Sequence, residues 1–263
     1  MNQKIICTAC GTQFPNVGRA PQLCPICNDD RQYVPESGQT WTTLYDLSKD
    51  YEVNIRKLND NLYDLKMMPS FAIGQRALLV LASGGNILWD CIPLLDEPTI
   101  EFIKSKGGLK AIAFSHPHFY STMNDWAQVF DCPVYIHERD EHWIVNKGRR
   151  VNMWSGQENE LWDGVKLINI GGHFPGSSIL HVPFLSPEGV VLCGDTFVIS
   201  PSKKHVAAMH SYPNRIPLPL IEIKRIKKQM RNLRFDTIHA WLDSQSICSD
   251  AKSILENSLA KYI

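Results

Sequence analysis

Four of the eight cysteines fall within the first 27 residues, as Cys7-Thr8-Ala9-Cys10 and Cys24-Pro25-Ile26-Cys27. Two Cys-x-x-Cys pairs separated by thirteen residues have the form of two tight knuckles, each bringing both thiolates to one tetrahedral zinc. Gly11 follows the first pair, where the knuckle needs a tight turn. So short a segment buries little core, so metal binding, roughly 10–16 kcal/mol for structural zinc peptides, has to hold it together. Cys7, Cys10, Cys24 and Cys27 are therefore expected to ligate a structural zinc, whose closed sphere leaves no position for catalysis. The competing readings are a disulfide pair and a redox Cys-x-x-Cys site.

A second set of candidate ligands lies further along. His116 and His118 stand in Ser115-His116-Pro117-His118, just past the apolar run 110–114, and on an extended chain residues two apart share a side. His173 follows Gly171-Gly172, Asp195 stands in Cys193-Gly194-Asp195-Thr196, and His239 follows Asp236-Thr237-Ile238. A lone histidine at a strand end is ordinarily a hydrogen-bonded structural residue. Five such residues, all where strands give way to loops, form the pattern of a metal site at the edge of a sheet.

The elements that must position them become readable from about residue 71. Apolar runs at 77–81 and 86–91 flank Ser83-Gly84-Gly85 and predict a hairpin. Strands are expected at 110–114, 134–136, 165–170, 179–182 and 190–192, and helices at 99–106, 122–130 and 220–234. Hairpins and helical crossovers together predict a mixed α/β architecture with two sheets. The polar stretch from Asn28 to about Gln39, with Pro35, Ser37 and Gly38, marks a boundary. The expected division is a ribbon and linker over 1–35 and a main domain over 36–263. Residues 40–63 show no clear period and are left unassigned.

Composition narrows the function. The formal net charge is zero, so no global field draws the chain onto nucleic acid or an anionic membrane. The ribbon carries only Lys4 and Arg19 before Cys24, with Asp29 and Asp30 just after Cys27, a poor footprint for phosphate. The cations of 220–234 read as the solvated face of a helix. Residues 1–7 lack the apolar core of a secretion signal and no run is long enough to span a membrane, so a cytoplasmic location is expected. In such a reducing compartment, paired cysteines favour metal over disulfide.

The ordered set resembles the metallo-β-lactamase superfamily over about residues 71–245. Its strand-end Asp corresponds to Asp90, its His-x-His loop to His116 and His118, its lone His to His173, its bridging Asp to Asp195 and its final His to His239. The resemblance implies an αββα four-layer sandwich, here preceded by a small four-cysteine zinc ribbon, with the metal site at one edge of the two sheets. It implies that His116, His118 and His173 hold a first metal, that Asp195 lies between two metals and that Asp90 supports the site from behind. One departure matters: Tyr120 and Ser121 stand where the family's loop has Asp and His, leaving only Asp195 and His239 for a second metal. A mononuclear catalytic zinc, or one strong and one weak metal, is expected, with His239 as a weak ligand or a proton-handling residue.

The expected activity is hydrolysis of a small-molecule ester, thioester, lactone or amide by a metal-bound hydroxide. Asp195, His239 and Tyr120 are the candidate catalytic residues. Tyr120 would donate to the developing oxyanion, with simple packing as its alternative. Iron is the competing metal, for an oxygenase acting on a thiol or persulfide. A nucleic-acid processing factor is disfavoured by the charge balance and the missing second-site ligands, and a non-catalytic adaptor by the intact first site. Cys193, His137, His142 and His181 read as structural or surface residues.

Overall fold

The computed structural model describes residues 4–16 and 20–262; Arg19, counted above among the cations of the ribbon, lies outside them. Strand β1 (Ile6–Cys7) pairs antiparallel with β2 (Trp41–Thr42). Helix α1 (Leu44–Asp50) follows, its first turn capped by the Thr43 hydroxyl, which accepts from the Asp46 N–H.

Seven strands then form one sheet in sequence order: β3 (Glu52–Asn59), β4 (Leu62–Met68), β5 (Arg76–Val80), β6 (Ile87–Trp89), β7 (Ala111–Ala113), β8 (Val134–His137) and β9 (Val151–Trp154). Strands β3 to β6 are antiparallel, as hairpins dictate. From β6 to β9 the pairing is parallel, with α2 (Glu97–Ser105) and α3 (Met123–Phe130) in the first two crossovers.

The second sheet begins with β10 (Glu158–Glu160), β11 (Lys166–Asn169), β12 (Ser178–Val182) and β13 (Val190–Leu192), an antiparallel meander. Two small hairpins follow, β14 (Val198–Ile199) with β15 (Val206–Ala207) and β16 (Met209–Ser211) with β17 (Ile216–Pro217). After α4 (Leu220–Met230), β18 (Thr237–His239) joins β13 in parallel and β19 (Ser246–Ile247) ends the sheet, before α5 (Ala251–Leu259).

Alternation along the strands explains the layers. Leu78, Val80 and Trp89 of the first sheet meet Leu167, Leu180 and Leu192 of the second, while Leu79 and Leu88 turn to the opposite face, packed with Ile103 and Trp126 of α2 and α3. Ile179 and Val191 face outward against Ile223 and Ile226 of α4 and Leu255 of α5. This is the αββα sandwich that the motifs implied. Among the described residues no helix is long and apolar enough to cross a membrane.

Two features of residues 1–63 bear on the sequence reading. The unassigned segment 40–63 holds β2, α1, β3 and the start of β4. Strand β3 is the sheet edge, with Glu52, Asn54 and Arg56 exposed against half-buried Val53 and Ile55, so charge masks its period. The expected division at residue 35 separates β1 from the strand it pairs with, and Gln39 donates from Nε2 to Cys7 Sγ at 3.1 Å.

Candidate metal centre

In the ribbon, Cys7 and Cys27 place their sulfurs 3.7 Å apart, as do Cys10 and Cys24. The four thiols are free and buried, far beyond the roughly 2.05 Å of a disulfide. Ligands bonded at about 2.3 Å to a tetrahedral ion sit about 3.8 Å apart, so the quartet fits one ion. Gly11 has φ +83° and lies against the main domain: a Cβ there would come 2.6 Å from Pro93 Cγ.

The ribbon docks on the main domain at Ser121, the position where the resemblance lacks its second-site His. Ser121 donates from Oγ to the Gly11 carbonyl at 3.2 Å and accepts at its own carbonyl from Gln13 N–H at 3.1 Å. Asp125 holds both Lys4 and the Gln13 amide.

The second cluster sits where parallel chain directions end together. Strands β6 and β7 run alike in one sheet, β11, β13 and β18 in the other, and the ligands follow their C-terminal ends. His116, His118, His173 and Asp195 are buried, each offering one atom within 4.8 Å of the others. His116 Nε2 lies 2.8 Å from Asp195 Oδ1, and His173 Nε2 lies 3.5 Å from that oxygen. His118 Nδ1 lies 3.6 Å from Asp195 Oδ2 and 3.3 Å from His173 Nε2. The two loop histidines do not converge along an extended chain, as expected, because residues 117–119 form a 3-10 turn; His116 presents Nε2 and His118 presents Nδ1.

Neighbouring groups fix the tautomers. The Ser115 hydroxyl lies 2.9 and 3.0 Å from the two Asp90 oxygens and 2.9 Å from His116 Nδ1. Its single proton goes to the carboxylate, so it accepts from Nδ1–H and leaves the His116 Nε2 lone pair facing Asp195. His173 likewise donates from Nδ1 to the His210 carbonyl at 2.7 Å, freeing Nε2. Two acceptors 2.8 Å apart repel unless a cation lies against both, and His116 Nε2 and Asp195 Oδ1 are buried with no hydrogen-bond partner. The residues therefore fit a metal ion.

Electrostatics agree. Burial holds His118 below the usual imidazole range and His173 well below it, keeping both neutral. Burial opposes ionisation of Asp195, but the His116 and His173 rings beside it outweigh burial and keep the carboxyl well below its usual range. Burial pushes Asp90 up to about 7, against the Ser115 hydrogen bonds.

Other expected residues lie apart. His239 is outside the four-atom cluster; its Nδ1 is 2.8 Å from Ser246 Oγ, and burial, with Arg76 and Arg56 adding, pushes it down to about 3. Tyr120 is buried in the core of the first sheet, its ring edge-on to Phe114 at 5.2 Å, so packing, the alternative given for it, describes its surroundings. Cys193 is buried and its thiol is pushed up by desolvation; His137 and His181 bond the Gly156 and Arg234 carbonyls.

Sequence reasoning missed three supports of the site. Arg31 donates from Nε to the His173 carbonyl at 2.6 Å and lies 4.5 Å over the Phe174 ring. Asp30 pairs with His210 Nε2 at 2.8 Å, behind the carbonyl that orients His173. Buried Asp140 accepts from Gly176 N–H at 2.7 Å, bracing the His173 loop. Only the GGHFPGS run hinted at the last, since a Cβ at Gly176 would come 2.4 Å from the Asp140 carboxyl carbon.

Two packed sheets flanked by helices, with three histidines and one aspartate clustered at their shared edge, define the metallo-β-lactamase fold. The DIM-1 metallo-β-lactamase superposes with a TM-score of 0.59 at 14% identity, covering 81% of this chain and 99% of that one. The FIM-1 enzyme from Pseudomonas aeruginosa, described in a mono-zinc form, gives 0.57 at 13%, covering 81% and 97%. No family model matches the sequence. The uncharacterized protein YmaE of Bacillus subtilis (strain 168) is 38% identical over 261 residues, 98% of this chain and 95% of its own. The chain belongs to the same family as YmaE, and the match spans both the ribbon and the main domain.

Proposed function

We propose that the chain is a zinc hydrolase with one catalytic ion on His116, His118, His173 and Asp195 and one structural zinc on the four cysteines, acting on a small-molecule ester, thioester, lactone or amide. The observation that carries the reading is the buried convergence of three imidazoles on one carboxylate at 2.8–3.6 Å, with acceptors facing each other. The FIM-1 structure in mono-zinc form supports a single ion as sufficient for this fold to hold.

A zinc ion in this donor set supplies Lewis acidity to a carbonyl oxygen and brings the pKa of a water near 7. The chain's own residues do the positioning. The Asp90–Ser115 relay and the His210 carbonyl lock the two rings so that their lone pairs face inward. Asp195 alone of the cluster lines the neighbouring cleft, and it stays ionised. It accepts a hydrogen bond from the attacking water and orients it, while its low pKa makes it a poor store for the proton. His239, neutral near pH 7, acts as a hydrogen-bonded support, and Tyr120 acts through packing.

Elemental analysis of protein purified without added metal tests the reading, on wild type and on a variant with Cys7, Cys10, Cys24 and Cys27 changed to Ser. About two zinc per chain, falling to about one, is expected. Iron retained in the variant points to oxygen chemistry instead, and absence of any metal from wild type sinks both. Loss of 1-naphthyl acetate hydrolysis in His116→Ala is the corresponding activity test.

A further inference from the structure

The ribbon does more than brace the metal cluster, because it also closes one side of a cleft that reaches it. The cleft has a volume of about 470 Å³, within the roughly 300–1,000 Å³ of small-molecule sites. Thr8, Ala9 and Tyr33 of the ribbon line it together with Ile73, Tyr212 and Trp241 of the main domain and with Asp195. A larger hollow of about 590 Å³ runs along α4, but none of its lining residues belongs to either metal cluster.

The chemistry of the walls is specific. Among the described residues, Asp195 carries the only charge on the lining; no Lys or Arg is present. A carboxylate or phosphate on the distal part of a substrate would find no partner there. Tyr33 is 57% exposed, a large ring that folding leaves uncovered, and it faces the cleft from a segment held by Asn214, which donates to the Asp30 and Gln32 carbonyls at 2.9 and 3.0 Å. A ring fixed at modest entropic cost and open to solvent is a platform for a flat apolar group.

We propose that this cleft is the substrate site, that the four-cysteine ribbon is its specificity wall, and that it accepts an uncharged substrate whose acyl or leaving group is an apolar ring. The proposal rests on the hydrolase reading above for what happens to the ligand, but not for whether it binds.

Binding and turnover are therefore measured separately on the zinc-loaded full chain. Naphthalene fluorescence follows titration with 1-naphthol and with naphthalene-1-sulfonate, for wild type, Tyr33→Ala and Tyr33→Phe; Tyr33 is exposed, so neither variant threatens folding. Wild type and Tyr33→Phe should bind 1-naphthol alike, Tyr33→Ala about tenfold more weakly, and the sulfonate should bind wild type at least about tenfold more weakly than the naphthol. Unchanged affinity in Tyr33→Ala, equal binding of the sulfonate, or no saturable binding of 1-naphthol by wild type overturns the proposal. If binding follows expectation but 1-naphthyl acetate is not turned over, the cleft stands and the hydrolase reading falls.

Discussion

Arg31, in the ribbon, donates from Nε to the main-chain carbonyl of His173, a residue of the metal cluster 142 positions away, at 2.6 Å. Its guanidinium also pairs with Asp29 at 2.6 Å and covers the Phe174 ring, so the contact is held from three sides. The ribbon is thus mechanically continuous with the histidine cluster.

Arg31→Ala should loosen the metal on the histidine cluster by about 10- to 100-fold, as loss of an outer support ordinarily does. Competition with a chromogenic chelator reads this directly. Arg31→Lys should recover little, because an ammonium cannot both reach the carbonyl and stack on Phe174. The cysteine-bound metal should be unaffected in both variants.

Stripping the ribbon metal, or Cys24→Ser, should unfold the segment that the metal holds and expose Ser121 and Asp125, which it now covers. Limited proteolysis should then cut within the ribbon while the αββα domain survives. An unchanged digestion pattern would show that docking, rather than metal, orders the ribbon.

Asp90 adopts φ +60°, a conformation that Asn tolerates as well as Asp. Asp90→Asn therefore keeps the backbone and removes the charge that takes the Ser115 proton. Metal affinity should fall by about tenfold or more with little change in melting temperature. A large drop in melting temperature with affinity intact would assign Asp90 to the fold alone.

Gly194 precedes Asp195 with φ +56°, and a Cβ there would come 2.3 Å from Ser115 Oγ. Gly194→Ala should cost about 2 kcal/mol or more in denaturant unfolding, from backbone strain and the clash together. It should also lower metal affinity, since the residue it pushes is the one that orients His116.

Burial holds His181 below the usual imidazole range, away from the metal cluster, where its Nε2–H bonds the Arg234 carbonyl. With the folded pKa depressed, acidification through about 6.5 protonates the unfolded chain first, so stability present above that pH is lost as pH falls. Urea unfolding at pH 7.5 and 5.5 should show a smaller acid loss in His181→Gln than in wild type.

Much of the site is legible in the sequence because its residues stand at strand ends that apolar runs announce. The strand before Ser115 is Ala111-Ile112-Ala113 and that before Gly194 is Val190-Val191-Leu192, each buried on both faces and so unmistakably apolar. Strand β3 is not legible, since an edge strand exposes alternate charged residues and its signal sinks into that of a loop.

The sequence alone determined which side chains suit a metal ion: two cysteine knuckles and a His-x-His, His, Asp series carry their chemistry in residue type and order. Tertiary structure decided what those sites are for one another. Ser121 against Gly11, Arg31 against His173, and Tyr33 in one cleft with Trp241 join positions more than a hundred residues apart. Such contacts follow from how two folded surfaces complement each other, and no local period or spacing encodes them. The same holds for His239 and Tyr120, whose residue types suit catalysis but whose burial, against Ser246 and Phe114, is set by packing.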